Sequence, residues 1–365
     1  MVLNPLERFI GLERSAFDQN EVFAIVKDTG ILEPVSAELI ESESGLILSI
    51  EVEELWAIFP LPFVMASSGE VNFGLFFLDT NAFGMRDIVA IGGAYGTYGW
   101  SAMAMYNHTP RHHGLPGWNG FFMYGRQERE AVDRDDNIYR RYAANQLRFS
   151  LGLNYLFFDL VTGAISLSYS DISLRNIDDV LNAPEQGAAH IGINPAISMR
   201  HSSWDGYFLS QRSVSFEYSY YHAITGSSFH ELEFRGNYEQ SLVPGFRFTA
   251  RSGAVWKSTS DTLFEEGPRN AQVDILPRNY TARHYAGLST GLEKYLFGFR
   301  FGTLSAIGLW QGVFSYTSDL EFNHGPSGGF LVYFSRVAIP AIGISLAYNM
   351  NSGLYQFNFV VGMSF

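Results

Sequence analysis

The sequence predicts an all-β fold, a transmembrane antiparallel β-barrel of about 14 to 16 strands preceded by a small N-terminal α+β piece. Three observations predict it. The 365-residue chain is 47% hydrophobic and 16% aromatic, yet its mean hydropathy is +0.00. That combination arises when apolar residues are spread over alternate positions facing lipid. Its longest apolar stretch, Leu55 to Met65, is interrupted by prolines, whereas a membrane helix needs about 20 consecutive apolar residues. From about Asp87 onward the sequence falls into period-two segments bounded by turn residues, as tilted membrane strands require.

Residues 1–56 read as a separate periplasmic module. Phe17, Val22, Ile25 and Val26 have helical spacing, Gly30 can end the helix, and Val35 to Ile40 and Leu46 to Val52 form two strands around Ser44-Gly45. Residues 57–86 read as a linker into the barrel, although Phe59 to Leu78 can supply a further hairpin if the count reaches about 16. The barrel itself is expected over 87–365.

Within it, Leu147, Phe149, Leu151, Leu153 and Tyr155 alternate with Gln146, Arg148, Ser150, Gly152 and Asn154. Ile165, Leu167 and Tyr169 alternate with serines, and Val214, Phe216, Tyr218 and Tyr220 alternate with Ser213, Ser215, Glu217 and Ser219. Leu232, Phe234 and Tyr238 face away from Glu231, Glu233, Arg235 and Asn237. In each case one face suits lipid and the other a wet lumen. The last segment is the clearest: Tyr355, Phe357, Phe359, Val361, Met363 and Phe365 share a face, and only Val360 is a large apolar residue on the other. Tight turns such as Asp159-Leu160 and Pro244-Gly245 are expected at the periplasmic end. Long polar connections, Glu128 to Arg141, Leu174 to Gly187 and Ser258 to His284, are expected outside. Trp100, Trp118 and Trp310 suit interfacial girdles.

Composition also excludes functions. The chain has no cysteine, which removes disulfides and thiol chemistry. A net charge of -13 and no basic patch argue against nucleic acid as a partner. His108, His112 and His113 lie close together, but no carboxylate stands at ligand spacing in that segment, so they read as a solvated turn; no metal and no cofactor is expected. Glu128-Arg129-Glu130 and Arg134-Asp135-Asp136 read as a solvated outer loop. No G-x-S-x-G elbow is present, and catalysis is not expected, with a barrel phospholipase of dispersed Ser, His and Asp kept as the minority alternative. The start, Met1-Val2-Leu3-Asn4-Pro5, lacks signal-peptide character, so a removed signal is inferred.

Three places resemble the superfamily of BamA, TamA and the two-partner-secretion transporters, also called bacterial surface antigens. Gly45 to Glu54 is similar to the end of a POTRA domain, and Asp79-Thr80-Asn81-Ala82-Phe83-Gly84 to the stretch leading into the family's barrel. Pro277-Arg278-Asn279-Tyr280, then Gly287 and Leu292-Glu293-Lys294-Tyr295, resembles the VRG(F/Y) loop and the strand after it. Leu309-Trp310-Gln311-Gly312 stands where the family has F-x-D-x-G, without the Asp. Gly328-Gly329-Phe330 to Phe365 resembles the last three strands.

The resemblance implies a Gram-negative outer-membrane barrel with its N-terminus in the periplasm and at most one shortened POTRA-like module. It also implies a lumen lock in which Arg278, flanked by Asn279 and Tyr280, pairs with Glu293. The terminal aromatic strand would be read by the barrel assembly machinery. Ile88, Ala90, Gly92 and Gly93 would line a weak first strand that meets Tyr355 to Phe365 at a seam. The function implied is insertion or translocation of polypeptide, or of lipid, without chemical catalysis, with outer-membrane lipid, a client polypeptide or envelope subunits as partners. The alternative is a structural or passive-pore barrel, or the barrel subunit of a larger envelope complex.

Overall fold

A computed structural model describes residues 17–27, 32–42, 45–54, 57–67, 70–85, 87–109, 115–158, 160–204, 208–300, 302–334 and 342–361, with 6, 9 and 11 singly. Gly30, Ser44, Leu55, His112, His113, Asp159, Met363 and Phe365, named above, lie outside the described residues.

Among the described residues the N-terminal piece carries a helix, α1 (Gln19–Lys27), and an antiparallel hairpin of β1 (Leu32–Ser42) and β2 (Gly45–Glu54). Its small core joins Leu6, Val22 and Ala37 with Phe17, Ile25, Leu48 and Ile50. The helix and the two strands follow the sequence reading, and among the described residues they fall short of a complete POTRA module. Two strands and one described helix enclose too little apolar surface for a full domain.

Among the described residues sixteen antiparallel strands form the closed barrel. The first six are β3 (Ile58–Ser67), β4 (Glu70–Ala82), β5 (Asp87–Gly96), β6 (Gly99–His108), β7 (Gly117–Val132) and β8 (Ile138–Phe158). Then come β9 (Val161–Arg175), β10 (Ala188–Trp204), β11 (Leu209–Thr225), β12 (Phe229–Val243) and β13 (Phe246–Lys257). The last five are β14 (His284–Phe299), β15 (Gly302–Tyr316), β16 (Leu320–Phe334), β17 (Ile342–Tyr348) and β18 (Tyr355–Val361).

The count reaches the upper bound because the hairpin from Phe59 to Leu78 is wall, not linker. Its β4 alternates: Val71, Phe73, Leu75 and Phe77 are exposed on one face, the lipid side. Two prolines in β3, Pro60 and Pro62, mask that pattern in the sequence. The same alternation runs round the barrel, with Phe149, Leu151, Leu153, Ile165, Leu167, Val214, Phe216, Phe234 and Phe357 all exposed. Gln356, next to Phe357, is buried on the inner side.

Strands of odd number run away from the N-terminal piece, so every even-to-odd turn lies at its end of the barrel, the proximal end, and every odd-to-even turn at the distal end. The tight Pro244-Gly245 turn is proximal, and the long connections after β9 and β13 are distal. The stretch from Glu128 to Arg141 is not a loop. It is the tip of a tall hairpin, since β7 runs to Val132 and β8 begins at Ile138. Charges on both strands pair there, with Arg141 Nη2 2.6 Å from Glu130. Trp118 begins β7 at the proximal end and Trp100 begins β6 at the distal end, so these two sit at opposite rims, while Trp310 lies well inside β15.

The seam is also displaced from its expected place. β18 closes against β3, where Phe359 lies opposite Ala66, and β5 is two strands away. Ile88, Ala90, Gly92 and Gly93 therefore belong to a fully paired wall strand. Gly92 has a local reason: a Cβ there would stand 2.3 Å from the Leu75 carbonyl oxygen, so glycine permits close strand approach instead of weakening an edge. The D-x-N-x-x-G stretch does not lead into the barrel but turns β4 into β5. Asn81 N–H donates to Asp79 Oδ1 at 2.9 Å, and Phe83 and Gly84 take φ of 59° and 67°.

Candidate functional site

The lumen is the candidate site, and its occupant is the connection from β13 to β14. Two 3-10 turns, Thr262–Phe264 and Pro268–Ala271, give that segment local order. Asp261 caps the first, its Oδ1 accepting from Leu263 N–H at 3.0 Å. The segment then spans the lumen and docks on two walls.

On one side Leu263 packs into Tyr142, Ala144, Ile172 and Ala188 from the inner faces of β8 to β10. Arg140 donates to Glu265 at 2.8 Å and to the Thr262 carbonyl at 3.3 Å. On the other side Ala271, Val273, Ile275, Leu276, Tyr280 and Ala282 form a buried cluster with Val255, Tyr285 and Val313 of β13 to β15. Gly287 faces inward beneath it, and a Cβ at that position would be 2.7 Å from the Ala271 Cβ.

Three polar contacts complete the docking. Gln311, fully buried on β15, accepts from Asp274 N–H at 2.7 Å and donates to Ser327 Oγ at 3.0 Å. Tyr280 and Ser315 hydroxyls share a hydrogen bond of 2.6 Å, and Val132 N–H donates to the Asn279 carbonyl at 3.1 Å. A long loop costs entropy to order, and this combination of apolar burial and satisfied polar groups offsets that cost.

The expected lock between Arg278 and Glu293 does not form. Glu293 is fully buried and held by Arg247, Ser305 and, at 2.8 Å, Tyr333. Arg247 also reaches Glu239 at 2.7 Å, and Arg251 reaches the same carboxylate at 3.0 Å. The ring of Phe208, in the proximal turn before β11, lies 4.8 Å below the Arg247 guanidinium. This cluster sits at the proximal end, because Arg247 is the second residue of β13. The loop enters from the distal end, where Arg278 borders a cavity of about 900 Å³. Within the motif, the Asn279 carbonyl and the Tyr280 hydroxyl do the docking, and Gln311 holds the loop where the family pattern places an acid.

Sequence reasoning missed Arg247, Glu239 and Arg251. Their signal was parity: each is a charge on the inward set of its strand, where a charge needs a partner.

Asp274 supplies a pH dependence. It keeps a narrow exposure to the lumen, but desolvation by the surrounding protein pushes its carboxyl above the ordinary carboxylate range, against the opposing pull of Gln311 and Arg251. The docked loop therefore binds this proton more tightly than an undocked one. Docking is strongest in acid below the ordinary carboxylate value, and it weakens as pH rises through the raised one. Single-channel recordings should show more frequent opening as pH rises over that window, and Asp274→Asn should flatten the dependence. An unchanged pH profile in the variant would remove Asp274 from the docking equilibrium.

No protein-family model matches the sequence, and no curated protein matches it. Among the solved structures that share its fold are three that cover nearly the whole chain. BamA from Haemophilus ducreyi lacking POTRA domains 1-3 aligns with a TM-score of 0.59 at 12% identity, covering 95% of this chain and 78% of that one. CdiB from Escherichia coli gives 0.65 at 13% identity over 97% and 73%. CdiB from Acinetobacter baumannii gives 0.62 at 10% identity over 92% and 66%. Strand number, order and closure, together with these superpositions, identify the chain as an antiparallel β-barrel with the fold of the BamA and CdiB structures.

Proposed function

We propose that this chain is an outer-membrane barrel of the insertase and transporter type, moving or placing polypeptide without chemical catalysis, with its N-terminal piece in the periplasm. The observation that carries the reading is the lumen-spanning loop, anchored at Gln311 and Ser315 within a BamA-like wall. A barrel filled by its own removable segment suits controlled passage better than steady diffusion. Its partners under this reading are outer-membrane lipid, the assembly machinery that folds it, and a client polypeptide.

The second element of the proposal is lateral opening between β3 and β18. Strand edges freed there would pair with a client strand by backbone hydrogen bonds. The chain has no native cysteine, so a tether can be placed cleanly at the paired positions with Ala66→Cys and Phe359→Cys. Oxidised protein should lose delivery of a test barrel or passenger in reconstituted vesicles, and reduction should restore it. Full activity in the oxidised form would sink the lateral route and favour passage through the lumen alone.

A further inference from the structure

Of the carboxylates bordering the cavity, Glu265 is held by Arg140 of β8 and Glu130 by Arg141, and three more have partners on the side away from β8 to β10. Glu231 and Glu266 each lie 3.3 Å from Lys257 Nζ, and Glu217 accepts from Ser219 at 3.3 Å. The facing wall, β8 to β10, carries the opposite chemistry. Arg148 is an inward residue of β8 whose side chain stands open to the cavity. Among the described residues its side chain makes no hydrogen bond and no ion pair, and the carboxylates that attract it from across the cavity, Glu231 and Glu266, are both engaged by Lys257.

Its neighbours are also donors. The strand register sets Arg148 opposite Ser170 and Ser150 opposite Ser168, all four lining the cavity. Asn194 Nδ2 donates to Ser166 Oγ and Ser168 Oγ at 3.1 Å, so both hydroxyls keep a proton to give. The hydroxyls of Ser150 and Ser170 make no side-chain hydrogen bond among the described residues. Arg129 reaches down the same wall to Gln146 Oε1 at 2.8 Å, one inward position from Arg148. An inward guanidinium whose register neighbours carry hydroxyls, with a second guanidinium one inward position away, is a donor set suited to an acceptor with several oxygens.

We propose that this wall is a binding site for a phosphate-type oxyanion inside the lumen, centred on Arg148 with Ser150, Ser168 and Ser170. The guanidinium fork takes two oxygens of a tetrahedral anion, and the hydroxyls take the others. The anion is either free phosphate or the phosphomonoester of a headgroup reaching in from the distal end.

The test is calorimetric titration of the purified full chain in detergent with inorganic phosphate at constant ionic strength. Saturable binding is expected, at least tenfold weaker in Arg148→Gln and unchanged in Arg134→Gln, which alters the exposed distal turn. Arg148→Lys keeps the charge without the fork and should bind several-fold more weakly than the parent; it carries the comparison if Arg148→Gln fails to fold. In a second arm, protein from vesicles of phosphatidylethanolamine doped with phosphatidic acid is analysed by native mass spectrometry. Phosphatidic acid retained by the parent and lost from the Arg148 variant identifies a headgroup as the source, and phosphate binding without such retention identifies the free anion. No saturable binding in either arm, or equal binding by folded Arg148→Gln, overturns the site.

Discussion

Replacing Ile275 with aspartate is expected to convert a closed barrel into a conducting one. Ile275 is fully buried at the centre of the loop's apolar cluster. Its burial contributes about 1.5 to 3 kcal/mol, and a carboxylate at the same place has no partner and costs further. A combined loss of about 3 kcal/mol or more shifts the docked-to-undocked ratio by at least roughly a hundredfold. The loop would swing out at the distal end while the wall, held by backbone ladders, stays closed. Planar-bilayer recordings should show rare, brief openings in the parent and sustained conductance in Ile275→Asp. Equal conductance in both proteins would mean that the loop does not seal the lumen, and a passive pore would become the better reading.

The second large effect lies at the other end of the lumen. Arg247→Met should destabilise the barrel by roughly 3 to 5 kcal/mol, because it leaves buried Glu293 without its cation and half-releases Glu239. The cost comes mainly from the orphaned carboxylate. Arg247→Met combined with Glu293→Gln should therefore recover more than half of the loss. Urea unfolding in detergent micelles, followed by tryptophan fluorescence, would measure both. A single variant within about 1 kcal/mol of the parent would show that water, and not Arg247, compensates Glu293. Because the cluster lies proximal to the loop, the single variant is expected to change stability far more than conductance.

These two variants separate what parity alone reveals from what it hides. The lipid-facing sets, Leu147 to Tyr155 and Tyr355 to Phe359 among them, were legible because a strand's side chains alternate with a period of two. The loop from Ser258 to His284 was legible as a break in that period, and its Pro277 to Tyr280 segment as a docking motif. Its partner was not. Which inward residue faces a loop depends on strand stagger and on how deep the loop enters, and neither is written in local sequence. The family resemblance pairs Arg278 with Glu293, while the folded chain gives Glu293 to Arg247 and gives the loop to Gln311 and Ser315.

The seam shows the same limit. Ile88 to Gly93 looked like a weak first strand because glycine is poor in strands, but Gly92 is there for close approach to Leu75. The true first strand, β3, was obscured by Pro60 and Pro62. Sequence by itself determined the class of this protein: alternation, turn spacing and the absence of long apolar runs leave a membrane barrel as the one arrangement that satisfies every backbone group in lipid. Only the tertiary structure decided which strands meet at closure, which charges pair in the lumen and which wall holds the loop. Those are contacts between residues distant in the chain, and their geometry is set by the barrel as a whole.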